Sequence, residues 1–342
     1  MAFRVETPPA LRSSTNRDDG AIAYWVTGPG IGELRREPLA ERAKGNVVVR
    51  TLYTGVSRGT EALVVRGEVP ESEWQRMRSP HQRGDFPFPV KYGYLNVGVV
   101  EKGPAALEGR TVFSLYPHQS VFVVPSGDVT LVPETVPARR AVLAGAVETA
   151  INVLWDAAPR LGDRVAVVGA GMIGGSIARL ASQVPGARVT LIDVDAGKRA
   201  VASRLGVDFA HPDDAADEYD IVIEASGYQD GLAVAMRIAA TDGEIVVASW
   251  YGSAPLRLEL GGDFHSRRLT LRSSQVGEVA QARRARRTPR QRLELALRLL
   301  EDPAFDGLLG DESGWSDLPA VMAALADGTA GTLCHTIDWS RP

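Results

Sequence analysis

Along the first third of the chain, apolar residues come in short runs that alternate with polar ones and are cut by glycine and proline. Residues 21–27, 46–54, 96–102, 111–115 and 120–124 read as β-strands on this pattern. Between them, 66–90 (RGEVPESEWQRMRSPHQRGDFPFPV) is polar, aromatic and proline-bearing. It reads as a long surface loop with one helical turn, of the kind that lids a pocket. The texture changes near Pro137, where ARRAVLAGAVETAINVLWDAA has helical composition and apolar spacing. Strands and helices then alternate: strands at 164–168, 189–193, 221–225, 244–248 and 269–272, helices at 172–184 and 198–205. Such alternation predicts an α/β fold with a doubly wound parallel sheet covered on both faces. The tail reads as helices at 288–301 and 318–326 and a last strand at 331–339.

The length of 342 residues suits two domains, and 44% hydrophobic with 23% charged residues is ordinary for a globular chain. A net charge of −4 argues against a general nucleic-acid binder. The single cysteine, Cys334, excludes a disulfide framework and a cysteine-rich zinc module, and in its apolar strand it reads as core. No apolar run approaches the roughly 20 residues of a membrane helix, and the first residues lack a secretory core. A soluble, cytoplasmic protein is expected. Of 38 basic residues only Lys44, Lys91, Lys102 and Lys198 are lysines; a GC-rich genome accounts for the skew, with the corollary that a surviving lysine can mark a place for a compact ammonium.

The most informative segment is DRVAVVGAGMIGGSIARLASQVPGARVTLIDVD. A strand ending at Val168 runs into Gly169-x-Gly171-x-x-Gly174, and a helix opens at Met172 and Ile173. Gly169 allows the tight turn, Gly171 lets backbone approach a pyrophosphate, and Gly174 lets helix pack on strand. The helix N-terminus offers unpaired N–H groups to the phosphates. Asp193, 24 positions after Gly169, ends the next strand and can accept both ribose hydroxyls while repelling a 2′-phosphate. NAD(H) is therefore preferred, with Lys198 in reach of the ribose; Arg199 keeps NADP(H) open.

These blocks, with VVVRTLYTGVSRGTE, FPVKYGYLNVGVVEKG and GRTVFSLYPHQ before them and YDIVIEASG and DGEIVVASWYG after, resemble the medium-chain dehydrogenase/reductase superfamily of alcohol dehydrogenase type. SRGTE and ETAINVLWDA look most like its bacteriochlorophyllide-dehydrogenase-like group. The resemblance implies a GroES-like catalytic domain over 1–141, completed by 282–342, and a Rossmann cofactor domain over 142–281. It also implies a homodimer joined near 255–260. Zinc members carry Cys where this chain has Ser57 and Gly-His-Glu where it has Gly93-Tyr94-Leu95, and the four-cysteine structural lobe is missing. Only Glu148 stands near the usual third-ligand region, so no catalytic or structural metal is expected.

Without zinc, side chains must stabilise and protonate the carbonyl oxygen. Tyr94, at the place of the lost His, is a candidate acid, with Lys91 nearby to lower its pKa; a gap-filling aromatic and a solvated strand end are the plainer readings. His118 is a candidate proton shuttle or a hydrogen-bonded structural histidine. Glu148 and Asn152 share a helix face at i and i+4, and Glu148 is a candidate base or substrate ligand. Thr60 is the nearest hydroxyl for a relay. Arg58 looks like the pyrophosphate-contacting arginine of relatives. Ser226 and Gly227 end a sheet strand where ligand is expected, Trp250 and Tyr251 follow the next, and Gln275 within SQVG lies near the carboxamide. The arginine run from Arg283 to Arg292 reads as a solvated start to the following helix. The leading function is a zinc-independent, NAD(H)-dependent oxidoreductase of a small-molecule alcohol/ketone pair. An NADPH-dependent quinone or enone reductase and an NAD-binding sensor without turnover are the alternatives.

Overall fold

A computed structural model describes residues 20–330 and 333–342. The amino-terminal stretch, and Gly331 and Thr332 of the expected last strand, lie outside the described residues.

The first half is β-rich. Its central strand, Asn46–Val56, pairs antiparallel with Asn96–Lys102, Cys334–Asp338 and Val121–Pro125. The sheet runs in the order Leu309–Gly314, Cys334–Asp338, Asn46–Val56, Asn96–Lys102, Thr111–Ser114, Thr130–Leu131. The end of the chain thus completes a sheet begun near residue 46. A smaller sheet, Ile31–Glu37, Ala21–Gly28, Val90–Lys91, Arg83–Gly84, lies beside it. Ile31–Glu37 was not legible as a strand, because its sequence IGELRRE has no buried position and shows no inward apolar face. The segment 66–90 contains a 3₁₀ turn at Glu71–Glu73 and the short strands at its end, and is otherwise irregular.

The second half is a six-stranded parallel sheet in the order Asp208–Ala210, Arg188–Ile192, Arg164–Val168, Tyr219–Glu224, Ala239–Val247, Thr270–Ser273. In chain order that is 3-2-1-4-5-6, the doubly wound Rossmann arrangement. The middle strands, RVAVV and YDIVIE, are buried on both faces, which is why they read as continuous apolar runs. Helix Gln229–Ile238, absent from the sequence reading, covers this sheet through Leu232, Ala235 and Met236.

One helix joins the halves. The apolar stretch after Pro137 divides into Ala138–Ala141 and Ala144–Ala157. The longer helix is buried around most of its circumference. Its core is continuous with Val97 and Phe113 on one side and with Val165, Val167 and Ile223 on the other. Helix Pro289–Leu299 packs on it through Leu293, Ala296 and Leu297.

Candidate active site

The parallel sheet reverses direction of winding between Arg164–Val168 and Tyr219–Glu224, and the glycine-rich turn sits at the carboxyl end of that pair. Gly169 has φ +105°, and a Cβ there would come within 2.7 Å of the Ala225 backbone. A Cβ on Gly174 would overlap the Gly169 carbonyl, so helix Met172–Ala181 can pack on its strand only with glycine there. Gly171 differs: its φ is −80° and a Cβ would meet open space. It begins the helix without a side-chain cap, leaving first-turn N–H groups for a ligand. Met172 is buried and Ile173 packs into the core beneath. This cradle fits a dinucleotide pyrophosphate.

Asp193 is half-buried just beyond strand Arg188–Ile192. Its Oδ2 accepts from Ala170 N at 2.7 Å and its Oδ1 from Asp195 N at 2.9 Å, so the carboxylate is fixed against the glycine turn. Lys198 ends a 3₁₀ turn capped by Asp195. Arg199 lies over the Phe209 ring, 4.8 Å from its centroid. On the other side of the turn, Glu224 is fully buried and accepts from Ser226 N at 2.7 Å and Gly227 N at 3.2 Å. It also takes Tyr251 Oη at 2.6 Å. Burial, then this carboxylate, pushes the Tyr251 phenol far up. Trp250 packs against the core of the first half, and Gly252 abuts Leu63 of helix Arg58–Arg66. The loop leaving the fifth parallel strand therefore reaches the helix that carries Thr60.

There the chain gathers hydroxyl groups. Gly93, at φ +121°, turns the backbone so closely past His118 that a Cβ would lie 2.8 Å from the imidazole. Tyr94 follows, its ring near Gly145 of helix Ala144–Ala157. The Tyr94 hydroxyl donates to Ser57 Oγ at 2.6 Å and also bonds Thr60. Burial, and next the nearby Glu61 charge, push the Tyr94 phenol up to about 12, against the opposing pull of the Ser57 and Thr60 hydrogen bonds. Glu61 and His118 lie behind, each 1% exposed. Glu61 Oε1 accepts from Ser57 N at 2.8 Å and Oε2 meets His118 Nε2 at 2.9 Å, while His118 Nδ1 bonds Thr54 Oγ1 at 2.8 Å. Glu61 was not legible in the sequence beyond its place in SRGTE.

Other candidates fall elsewhere. Lys91 does not serve Tyr94. It is fully buried, donates to Glu37 and Gln119 at 2.7 Å each, and has its pKa lowered by burial against the pull of Glu37. Nor is it a solvated strand end. His118 has both ring nitrogens hydrogen-bonded within the interior, to Thr54 Oγ1 and Glu61 Oε2. Glu148 and Asn152 share the expected face, but Glu148 Oε1 takes Arg292 Nε at 3.1 Å. Burial raises the Glu148 pKa, opposed by Arg292. Asn152 is spent on Arg292 and on the loop after Ser273, including the Gln275 carbonyl at 3.3 Å. Arg292 itself is 2% exposed, unlike the exposed arginines 283–287. Arg58 is exposed at the first helical turn. Cys334 is buried, and burial pushes its thiol up to about 12.

Ser57 and Tyr94 offer two hydroxyls bonded to each other, Leu95 an alkyl group, and Glu148 a carboxylate paired with Arg292; that donor set does not suit Zn²⁺. Among the described residues, no group of three or more His, Cys, Asp or Glu is placed to hold a metal.

No protein-family model matches the chain. The D-guloside 3-dehydrogenases of Escherichia coli K12 and Shigella flexneri are each 26% identical over 270 residues, 70% of this chain and 77% of theirs. The structure of Escherichia coli L-idonate 5-dehydrogenase superposes with a TM-score of 0.76 at 15% identity, covering 93% of this chain and 98% of that one. Acetophenone reductase from Geotrichum candidum, solved with NAD, gives 0.74 at 17% identity, covering 94% and 97%. This chain has the fold of the medium-chain alcohol dehydrogenases. In medium-chain dehydrogenase terms the β-rich half is GroES-like and the parallel sheet is the Rossmann domain. No helix among the described residues is long and apolar enough to cross a membrane.

Proposed function

We propose that this protein is a nicotinamide-dependent oxidoreductase that interconverts a secondary alcohol and a ketone on a sugar, glycoside or polyol, without zinc. The observation that carries this reading is the Tyr94–Ser57–Thr60 hydroxyl cluster in a chain whose parallel sheet also carries a dinucleotide cradle. The similarity to D-guloside 3-dehydrogenases supports the substrate class.

Gly169, Gly171, Gly174 and the first turn of helix Met172–Ala181 would hold the pyrophosphate, with Asp193 at the adenosine ribose. The bound nicotinamide supplies the hydride acceptor or donor. The chain's own task is the oxygen. With its pKa near 12, Tyr94 is a neutral phenol at neutral pH, hence a hydrogen-bond donor rather than a base. In reduction the Tyr94 O–H would turn from Ser57 Oγ to the substrate oxygen, stabilise the developing oxyanion and hand over its proton, because an alkoxide is a far stronger base than a phenolate. Ser57 and Thr60 fix the phenol's direction and re-supply the proton. Glu61 keeps Ser57 in place through its N–H. A quinone or enone reductase has less need of such an acid.

Asp193 supports NAD(H) over NADP(H), and the Arg199 guanidinium is stacked on the Phe209 ring. The exposed Leu258 and Leu260, in the 255–260 segment, support a homodimer. The experiment is a titration with NADH and NADPH in wild type and Asp193→Ala, followed by turnover with glycosides and polyols. Preference for NADH that is lost in the variant, with oxidation of a sugar hydroxyl, is expected. NADPH preference, or turnover of quinones only, overturns the reading.

A further inference from the structure

A guanidinium with almost no access to water lies outside the hydroxyl cluster. Arg292 is 2% exposed on the inner face of helix Pro289–Leu299. Its Nη2 donates to the Val276 carbonyl at 2.5 Å, its Nη1 to the Glu278 carbonyl at 3.2 Å and to Asn152 Oδ1 at 2.5 Å. Asn152 adds bonds of its own: Nδ2 to the Gln275 carbonyl at 3.3 Å and to Ser274 Oγ at 3.4 Å, and Oδ1 from Ala280 N at 2.9 Å. Two side chains thus fix three carbonyls and one N–H of the loop 274–280. Loops normally spend such groups on water. Glu148 supplies the counter-charge. Only a planar fork of five donors can serve a carboxylate, an amide and two carbonyls together.

The place of this loop gives the network its meaning. Strand Thr270–Ser273 runs directly into it at the carboxyl end of the parallel sheet, the side on which doubly wound sheets bind ligand. Gly145, Glu148 and Asn152 form one stripe (i, i+3, i+7) on helix Ala144–Ala157. The stripe begins beneath Tyr94 and ends at the loop, roughly 10 Å further along the helix axis.

Resting on the reading of the chain as a nicotinamide-dependent dehydrogenase, we propose that Arg292 is a positioning residue for the nicotinamide half of the cofactor: it holds loop 274–280 in the shape that receives the ring, without touching it. The adenosine half is anchored separately, at Gly169–Gly174 and Asp193. Loss of Arg292 therefore splits the two halves, whereas a residue needed only for folding weakens both together.

The test compares wild type with Arg292→Lys, which keeps a charge for Glu148 but no fork, using NADH and ADP-ribose as probes and melting temperature as the control. The expected result is ADP-ribose affinity within about twofold of wild type and NADH affinity lowered by roughly tenfold or more. Equal losses for both probes, or no loss for either, overturn the proposal. Should Arg292→Lys not fold, Asn152→Ala removes the loop's other anchor and carries the same expectation. Wild-type protein that binds neither probe refutes the dehydrogenase reading itself, a failure distinct from loss of the split.

Discussion

Tyr94 Oη lies 2.6 Å from Ser57 Oγ, a bond between residues 37 positions apart. The neighbouring carboxylate, Glu61, bonds the Ser57 N–H rather than either hydroxyl, so its charge raises the phenol's pKa without taking its proton. In the proposed reaction this pair serves as a neutral hydrogen-bond donor.

That donor has a pH signature. The phenol is pushed up to about 12 from an ordinary value of 10.0, so its protonated form is favoured in the folded protein. The stabilisation this gives is complete below the ordinary value and is lost as pH rises through the folded one. Ketone reduction is expected to show no Tyr94-dependent inflection up to about pH 11. An inflection near pH 10 that disappears in Tyr94→Phe speaks against the assignment.

The Glu61–His118 pair is buried on both sides. Glu61→Ala leaves His118 Nε2 and the Ser57 N–H without their partner, and a buried polar group left unpaired costs about 1–3 kcal/mol. His118→Ala strands Glu61 likewise. The double variant is expected to lose clearly less than the two singles added, in urea unfolding followed by circular dichroism. Strict additivity would show that the two do not act as a pair.

Gly171 and Gly174 separate binding from folding. Gly171→Ala has an acceptable φ and adds a methyl to open space, so melting temperature should hold within a few degrees while dinucleotide affinity falls by about tenfold or more. Gly174→Ala drives a methyl into the Gly169 carbonyl and should destabilise the protein outright. Unchanged NADH affinity in Gly171→Ala contradicts the placement of the pyrophosphate.

The parallel sheet was legible because its strands are buried on both faces and its phosphate turn has a fixed glycine spacing; Arg164–Val168 falls on the expected residues. Asp193 lies just past the second strand of that sheet and bonds the glycine turn. What was not legible depends on partners distant in sequence. Lys91 looks like a strand end until Glu37, 54 residues away, is beside it. Arg292 hides in a run of arginines, and only its place next to Leu293 on the buried face sets it apart. Glu61 and His118 are 57 positions apart, and no local pattern signals that their side chains meet.

The central claim, that hydroxyl groups do the work of zinc in an alcohol/ketone oxidoreductase, is tested most directly by turnover of chelator-treated, metal-assayed protein beside Tyr94→Phe. The account predicts full activity without metal, a kcat lower by about 10²–10⁴ in Tyr94→Phe, and unchanged NADH affinity. Activity lost on chelation and restored by zinc, with Tyr94→Phe near wild type, would contradict it.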